Sequence, residues 1–364
     1  MLCIFFDLPL HAQTVSSNGN FAISYTDVAF EDSTSFEITR IYNSRSTEKG
    51  WFGMGWGGPY ESYLLPIPGG GVVVYYWRTG AKLVFRPNQW NNLDIASSVD
   101  KMVDIATKKL IVKTPEEILK LKNRLLENEE VRITYWAQYV QEGLLPAIHL
   151  PENTRLASTT AGYSYLLVTK EGYTFPQENG ATWFFDRQGR FLKMTDAQGN
   201  FISFSYGKTS FPDSIQDNAG NKVRLQFDTH HLIQRIECIS KDGEKDTSFY
   251  TYDEVAGTLL SSKDIGGNLY RYEWDNDYNL VKILYTDGSA MQMTYDDNNF
   301  ATSLKKRNGS RTEYGYPQNS ADDYGNTITY YDSLGNKTRR LLNWYVMKTN
   351  EIGKRWQYKW MVVE

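Results

Sequence analysis

An aromatic residue returns about every 21 positions through the second half of this 364-residue chain. The series is Phe185, Tyr206, Phe227, Tyr252, Trp274, Tyr295 and Tyr316, at intervals of 21, 21, 25, 22, 21 and 21. Glycines keep step with it at Gly199, Gly220, Gly243, Gly267, Gly288 and Gly309. Two residue types repeating in register mark copies of one supersecondary unit. Such a unit cannot bury its apolar face alone and must stack on its neighbours. Function is then to be sought on an assembled surface, not in one pocket.

The residues leading into each aromatic alternate. In "KVRLQFD", Val223, Leu225 and Phe227 share one face and Lys222, Arg224 and Gln226 the other. "LYRYEWD", "AMQMTYD" and "FISFSYG" repeat the pattern. Period two predicts a strand buried on one side, and the aromatic and β-branched content agrees. An Asp follows most of the rings directly (Asp186, Asp228, Asp253, Asp275, Asp296), and Asp332 follows Tyr331. An Asp so placed bonds the backbone two residues on, in an Asx turn. Farther along come "DAQGN", "DNAGN" and "DIGGN", whose glycines supply the positive φ of a tight hairpin. Each unit reads as strand, turn, short strand, turn. The expected fold is mostly β: antiparallel strand–turn units whose apolar side faces another sheet, a curled continuation of the same sheet, or cargo.

Composition narrows the function classes. Tyr 26, Phe 17 and Trp 10 accompany a mean hydropathy of −0.52, which suits one-sided sheets better than a helical core. The net charge is −4 and the longest basic run is Lys305–Arg307, which speaks against nucleic-acid binding. No apolar stretch reaches the roughly 20 residues that span a bilayer. Of the two cysteines, Cys3 and Cys238, the second lies in a strand-like stretch and reads as a small buried side chain.

Four segments are expected. Residues 1–13 resemble the tail of a secretory signal peptide without its basic start, residues 14–95 a β module, residues 96–150 a helical insertion, and residues 151–364 the repeats. In the insertion, Thr114 with Pro115, Glu116 and Glu117 is a helix start, an N-cap hydroxyl followed by acids on the positive dipole end. Ile118, Leu121 and Leu125 form an apolar stripe that Leu119 and Leu126 widen, fitting a helix laid on the bare face of the sheet. The β-branched Val131, Ile133 and Thr134 weaken the case for its continuing to a stop at Gly143.

Convergent reactive groups are scarce. His230 and His231 fall in a turn after Asp228, His149 stands beside Leu150 and Pro151, and His11 lies in the leader-like segment. "DNDYN" (Asp275 to Asn279) opens like a calcium loop but has Leu280 and Thr286 where the Gly and the bidentate acid belong. Aspartates recurring once per unit suit turns, whereas catalysis needs one unsymmetrical site. No enzyme, metal or cofactor is expected. Exposed rings such as Tyr60, Tyr63, Tyr75, Tyr76 and Trp77 would offer flat faces to sugars, although core packing is their commoner role.

The segments "WFFDRQGRFLKMTDAQGN", "YTYDEVAGTLLSSKDIGGN" and "YYDSLGNKT" resemble the YD repeats of the Rhs family over about residues 160–340. "ITRIYNSRSTEKGWFGMGWGGPYE" looks like the module preceding such repeats, with Arg40, Tyr42, Asn43, Ser44, Gly50, Gly53, Gly55 and Trp56 in order. The resemblance implies a spiral shell enclosing or presenting a toxic C-terminal segment. With only about eight units here, it implies an early part of such a shell, secreted or at the cell surface, whose partners are further repeats and the toxin. The alternative is an adhesin that binds cell-surface glycans. An independent hydrolase is the remote third reading.

Overall fold

The computed structural model describes residues 13–16, 18–30, 36–77, 80–88, 91–158, 164–316, 325–350 and 353–363. Residues 1–12 of the leader-like segment, with Cys3 and His11, lie outside them. The chain is mostly β and antiparallel, with three α-helices among the described residues. It forms two compact units. A split unit joins the segment ending at Gly58 to Asn221–Glu364, and a continuous unit spans Pro59–Gly220. These divisions fall inside the expected segments 14–95 and 151–364.

In the split unit the N-terminal strands are β1 (Gln13–Val15), β2 (Phe21–Ala29), β3 (Glu37–Asn43), β4 (Lys49–Gly50), β5 (Gly53–Met54) and β6 (Trp56–Gly57). Strands β1, β2, β3 and β6 pair in that order, while β4 and β5 form a two-residue hairpin. A bulge at Asp27 lets both Asp27 and Val28 turn inward, at 1% and 0% exposure. The repeat strands of this unit, from Lys222–Phe227 onward, each pair antiparallel with the next. Their burial follows the sequence alternation. Val223, Tyr270, Tyr272, Met291 and Met293 are buried, whereas Arg224, Arg271 and Gln292 face water.

The continuous unit opens with β7 (Tyr63–Ile67), β8 (Gly71–Tyr75) and β9 (Lys82–Arg86), an antiparallel meander continued by Arg155–Ser158 and the strands after it. Between β9 and that continuation stand α1 (Asn92–Lys108), α2 (Pro115–Glu127) and α3 (Glu129–Gln141). The expected start at Thr114 is found as a full capping box with Glu117. Asn128 ends α2 and its side chain accepts the Val131 N–H to begin α3, so the β-branched stretch does not continue the first helix but forms a second one. Helix α1 begins at Asn92, ahead of the expected insertion.

The helices cover the sheet with a shared apolar core. Leu65, Ile67, Val73 and Tyr75 meet Val99 and Met102 of α1, Leu121 and Leu125 of α2, and Trp136 of α3. The Trp136 indole N–H donates to the Pro66 carbonyl at 3.1 Å. Leu119 and Leu126 do not widen the stripe. They are 59% and 40% exposed, because the 100° step per residue carries them past the edge of the Ile118–Leu121–Leu125 face.

Candidate functional site

The repeat strands share one local device. At six of the seven rings the strand pairing slips by one residue, before Phe185, Tyr206, Phe227, Tyr252, Trp274 and Tyr295, and it slips again before Tyr331. The following Asp then organises the turn. The Oδ1 of Asp275 accepts the N–H groups of Asp277 and Asn279, and that of Asp296 those of Asn298 and Phe300. Asp186, Asp228 and Asp332 do the same, so the expected bond two residues on is joined by a second, four residues on. Those turns carry a left-handed residue at their fourth position past the ring, filled by Gly189 and Gly335 but also by His231, Tyr278 and Asn299. The carboxylate that opens "DNDYN" is therefore turned onto its own backbone. The glycines of the hairpin series, Gly199, Gly220, Gly243, Gly267, Gly288 and Gly309, all have φ between 79° and 102°.

The rings themselves act as latches. Tyr206, Tyr295 and Tyr316 donate their hydroxyls to the carbonyls of Phe191, Leu280 and Ala301, each 15 residues earlier. Trp274 donates its indole N–H to the Leu259 carbonyl over the same interval, and Tyr252 reaches Ile233. Each accepting residue sits at the start of a short strand. The two Phe members of the series lack a donor. Phe185 is buried against Phe191, and Phe227 meets the Trp51 ring edge-on at 5.6 Å.

Within the split unit, the N–H groups at those strand starts meet the N-terminal strands. Ile233 N–H donates to the Trp51 carbonyl (2.8 Å), Leu280 N–H to the Tyr42 hydroxyl (3.1 Å) and Ala301 N–H to the Gly19 carbonyl (2.9 Å). The turn beyond Tyr252 also meets this seam, for the Met54 N–H donates to the Gly257 carbonyl (3.2 Å). Glycine is required there, since a Cβ on Gly53 would stand 2.7 Å from the Gly257 carbonyl oxygen.

A buried ion pair stands at the centre of the seam. Arg40 Nε donates to both carboxylate oxygens of Asp27, at 3.0 and 2.8 Å, with the side chains 0% and 1% exposed. Arg40 Nη1 donates to the Tyr272 hydroxyl (2.7 Å) and Nη2 to Ser262 Oγ (2.9 Å). The Tyr250 hydroxyl donates to Asp27 Oδ2 at 2.8 Å. The rings of Tyr25, Trp56, Tyr270 and Tyr272 enclose the guanidinium at 4.6 to 5.6 Å. Burial raises the Asp27 carboxyl, and Arg40 and Tyr250 oppose it. Burial alone would lower Arg40, yet Asp27 holds it above its ordinary value. Burial pushes the Tyr272 hydroxyl up to about 12, so it stays protonated as a donor or acceptor. The arrangement joins distant strands and presents no free nucleophile.

Arg40, Tyr42, Gly53 and Trp56 were legible through the family resemblance. Asp27, Tyr250, Ser262 and Tyr272 were not singled out, although an Asp among alternating apolar residues in "FAISYTDVA" is a readable sign of a buried partner. Of the rings considered for sugars, Tyr60, Tyr75 and Tyr76 are buried, and Tyr63 lies flat on Tyr75 at 4.5 Å. Cys238 is buried, which lifts its thiol to about 11. No described helix is long and apolar enough to cross a membrane.

Residues 16–85 match the family model described as a domain of unknown function, DUF6531. Among solved structures the chain is similar to TcdB2–TccC3 without its hypervariable C-terminal region, at 11% identity over 90% of this chain and 22% of that one, TM-score 0.33. It is also similar to the Photorhabdus luminescens Tc holotoxin pore, at 11% identity over 93% and 22%, TM-score 0.31. A porin-like protein from Bacteroides uniformis matches at 13% identity over 50% of this chain and 93% of that one, TM-score 0.24. The chain thus spans about a fifth of the two toxin chains. Likeness this distant says nothing of function. A search among curated proteins finds no match.

Proposed function

We propose that this chain is an early stretch of an exported Rhs/YD-repeat shell, working as wall rather than as catalyst. The observation that carries the reading is the recurring latch. A ring at the end of one strand bonds a carbonyl at the start of a short strand in the preceding copy, in Tyr206, Tyr252, Trp274, Tyr295 and Tyr316 alike. A device repeated at five of the seven rings builds extent, whereas a reactive centre is built once. The family-model match over residues 16–85 and the sequence resemblance to YD repeats support the same reading. In it, the partners are further repeats and a toxic C-terminal segment that the finished wall encloses or presents.

The test is a protease-protection experiment on the protein expressed with the coding sequence found downstream. Under the shell reading, the C-terminal segment resists added protease until the wall is denatured. A segment digested at once from an otherwise folded protein would overturn it. The glycan-binding alternative loses three of its five rings to the core.

A further inference from the structure

We infer that strands β2, β3 and β6 have no stable packed state of their own and close only together with the repeat strands Lys245–Tyr252, Leu259–Lys263 and Leu269–Trp274, so that Arg40 acts as an internal checkpoint on repeat assembly. The inference concerns folding and stands whether or not the finished protein is a shell.

The partners of the ion pair are divided between the two parts of the chain. Within the N-terminal strands, Arg40 has Asp27. Its Nη1 and Nη2 go to Tyr272 and Ser262, and the further bond to the Asp27 carboxylate comes from Tyr250. The aromatic enclosure is divided likewise, Tyr25 and Trp56 from one part, Tyr270 and Tyr272 from the other. Without the repeats, β2 and β3 would have to bury a guanidinium with two donor nitrogens unpaired or leave their apolar face in water. Either is heavily penalised, since a half-satisfied buried charge network is worse than none. The backbone bonds at Ile233, Leu280 and Ala301 are divided in the same way. More than 200 residues separate Arg40 from Tyr250 and Tyr272. Chains are made from the N-terminus, so the early strands must wait for the later ones.

Native-state hydrogen exchange on the whole chain tests this, with Tyr272→Phe and Ser262→Ala as mild variants and Arg40→Met as a severe one. In the parent, amides of Phe21–Ala29 and Glu37–Asn43 should open at the same protection as those of Lys245–Tyr252 and Leu269–Trp274. In Tyr272→Phe and Ser262→Ala both sets should lose about tenfold together, and in Arg40→Met about 100-fold or more. The mild variants decide the matter if Arg40→Met does not fold. Two sets opening at different protections in the parent would overturn the inference. So would N-terminal strands that keep the parent's protection in Tyr272→Phe while the repeat strands lose theirs.

Discussion

The two compact units cover an apolar sheet face by opposite means. In the continuous unit, α1, α2 and α3 lay Val99, Met102, Leu121, Leu125 and Trp136 over β7 and β8, with few directed bonds. In the split unit, β2, β3 and β6 meet the repeats through a fully buried ion pair and one backbone bond at each of several strand starts. Apolar packing asks only for volume and shape, so it tolerates exchange among hydrophobic residues. A buried polar network asks for every partner, and in return fixes which strands meet.

The sharpest way to break this contrast is to remove half of the pair. Arg40→Met should destabilise the split unit by about 3–5 kcal/mol, and adding Asp27→Leu should restore much of that loss. Leu125→Met in the helical layer should cost less than about 1.5 kcal/mol. Denaturant midpoints of the variants measure these differences. Equal losses for Arg40→Met and Leu125→Met would erase the distinction between the units.

Glycines give an intermediate effect. A Cβ on Gly288 would meet nothing within 4 Å, so Gly288→Val (φ +79°) should cost about 1–3 kcal/mol from backbone strain alone. Gly189→Ala should cost more, because its Cβ would lie 1.7 Å from the Leu64 carbonyl oxygen of β7. Thermal melts of the two variants sharpen the comparison, and Gly288→Val melting with the parent would remove the strain from the turn.

The smallest effect is expected at a surface turn. Bonds from the Ser289 hydroxyl and N–H, with help from Arg307, hold the Asp287 carboxyl down to about 2 from the ordinary 3.8. A depressed folded value means its contribution is present above about pH 4 and is lost as pH falls towards 2. Carboxyl-carbon NMR titration should show that low midpoint, and Asp287→Asn should flatten the acid limb of stability slightly.

The strands, the Asx turns and the positive-φ glycines were legible because each is dictated by residues a few positions apart. The bulges before most of the rings were not, nor was the role of the Tyr and Trp rings as donors to the preceding copy. The heart of the seam was harder still. Asp27 and Arg40 lie in neighbouring strands, but Tyr250, Ser262 and Tyr272 are joined to them only by the closed chain, and no local pattern announces a partner 200 residues away. Helix α1 was readable in principle, since Ile95, Val99, Met102, Val103 and Ala106 recur at helical spacing and are all buried.

The latch has a direction. Tyr206, Trp274, Tyr295 and Tyr316 all reach back 15 residues, so what a new copy needs in order to attach is already in place when it arrives. A gene built this way can lengthen by duplicating one period without altering the copies before it, and the size of the finished structure becomes a matter of counting.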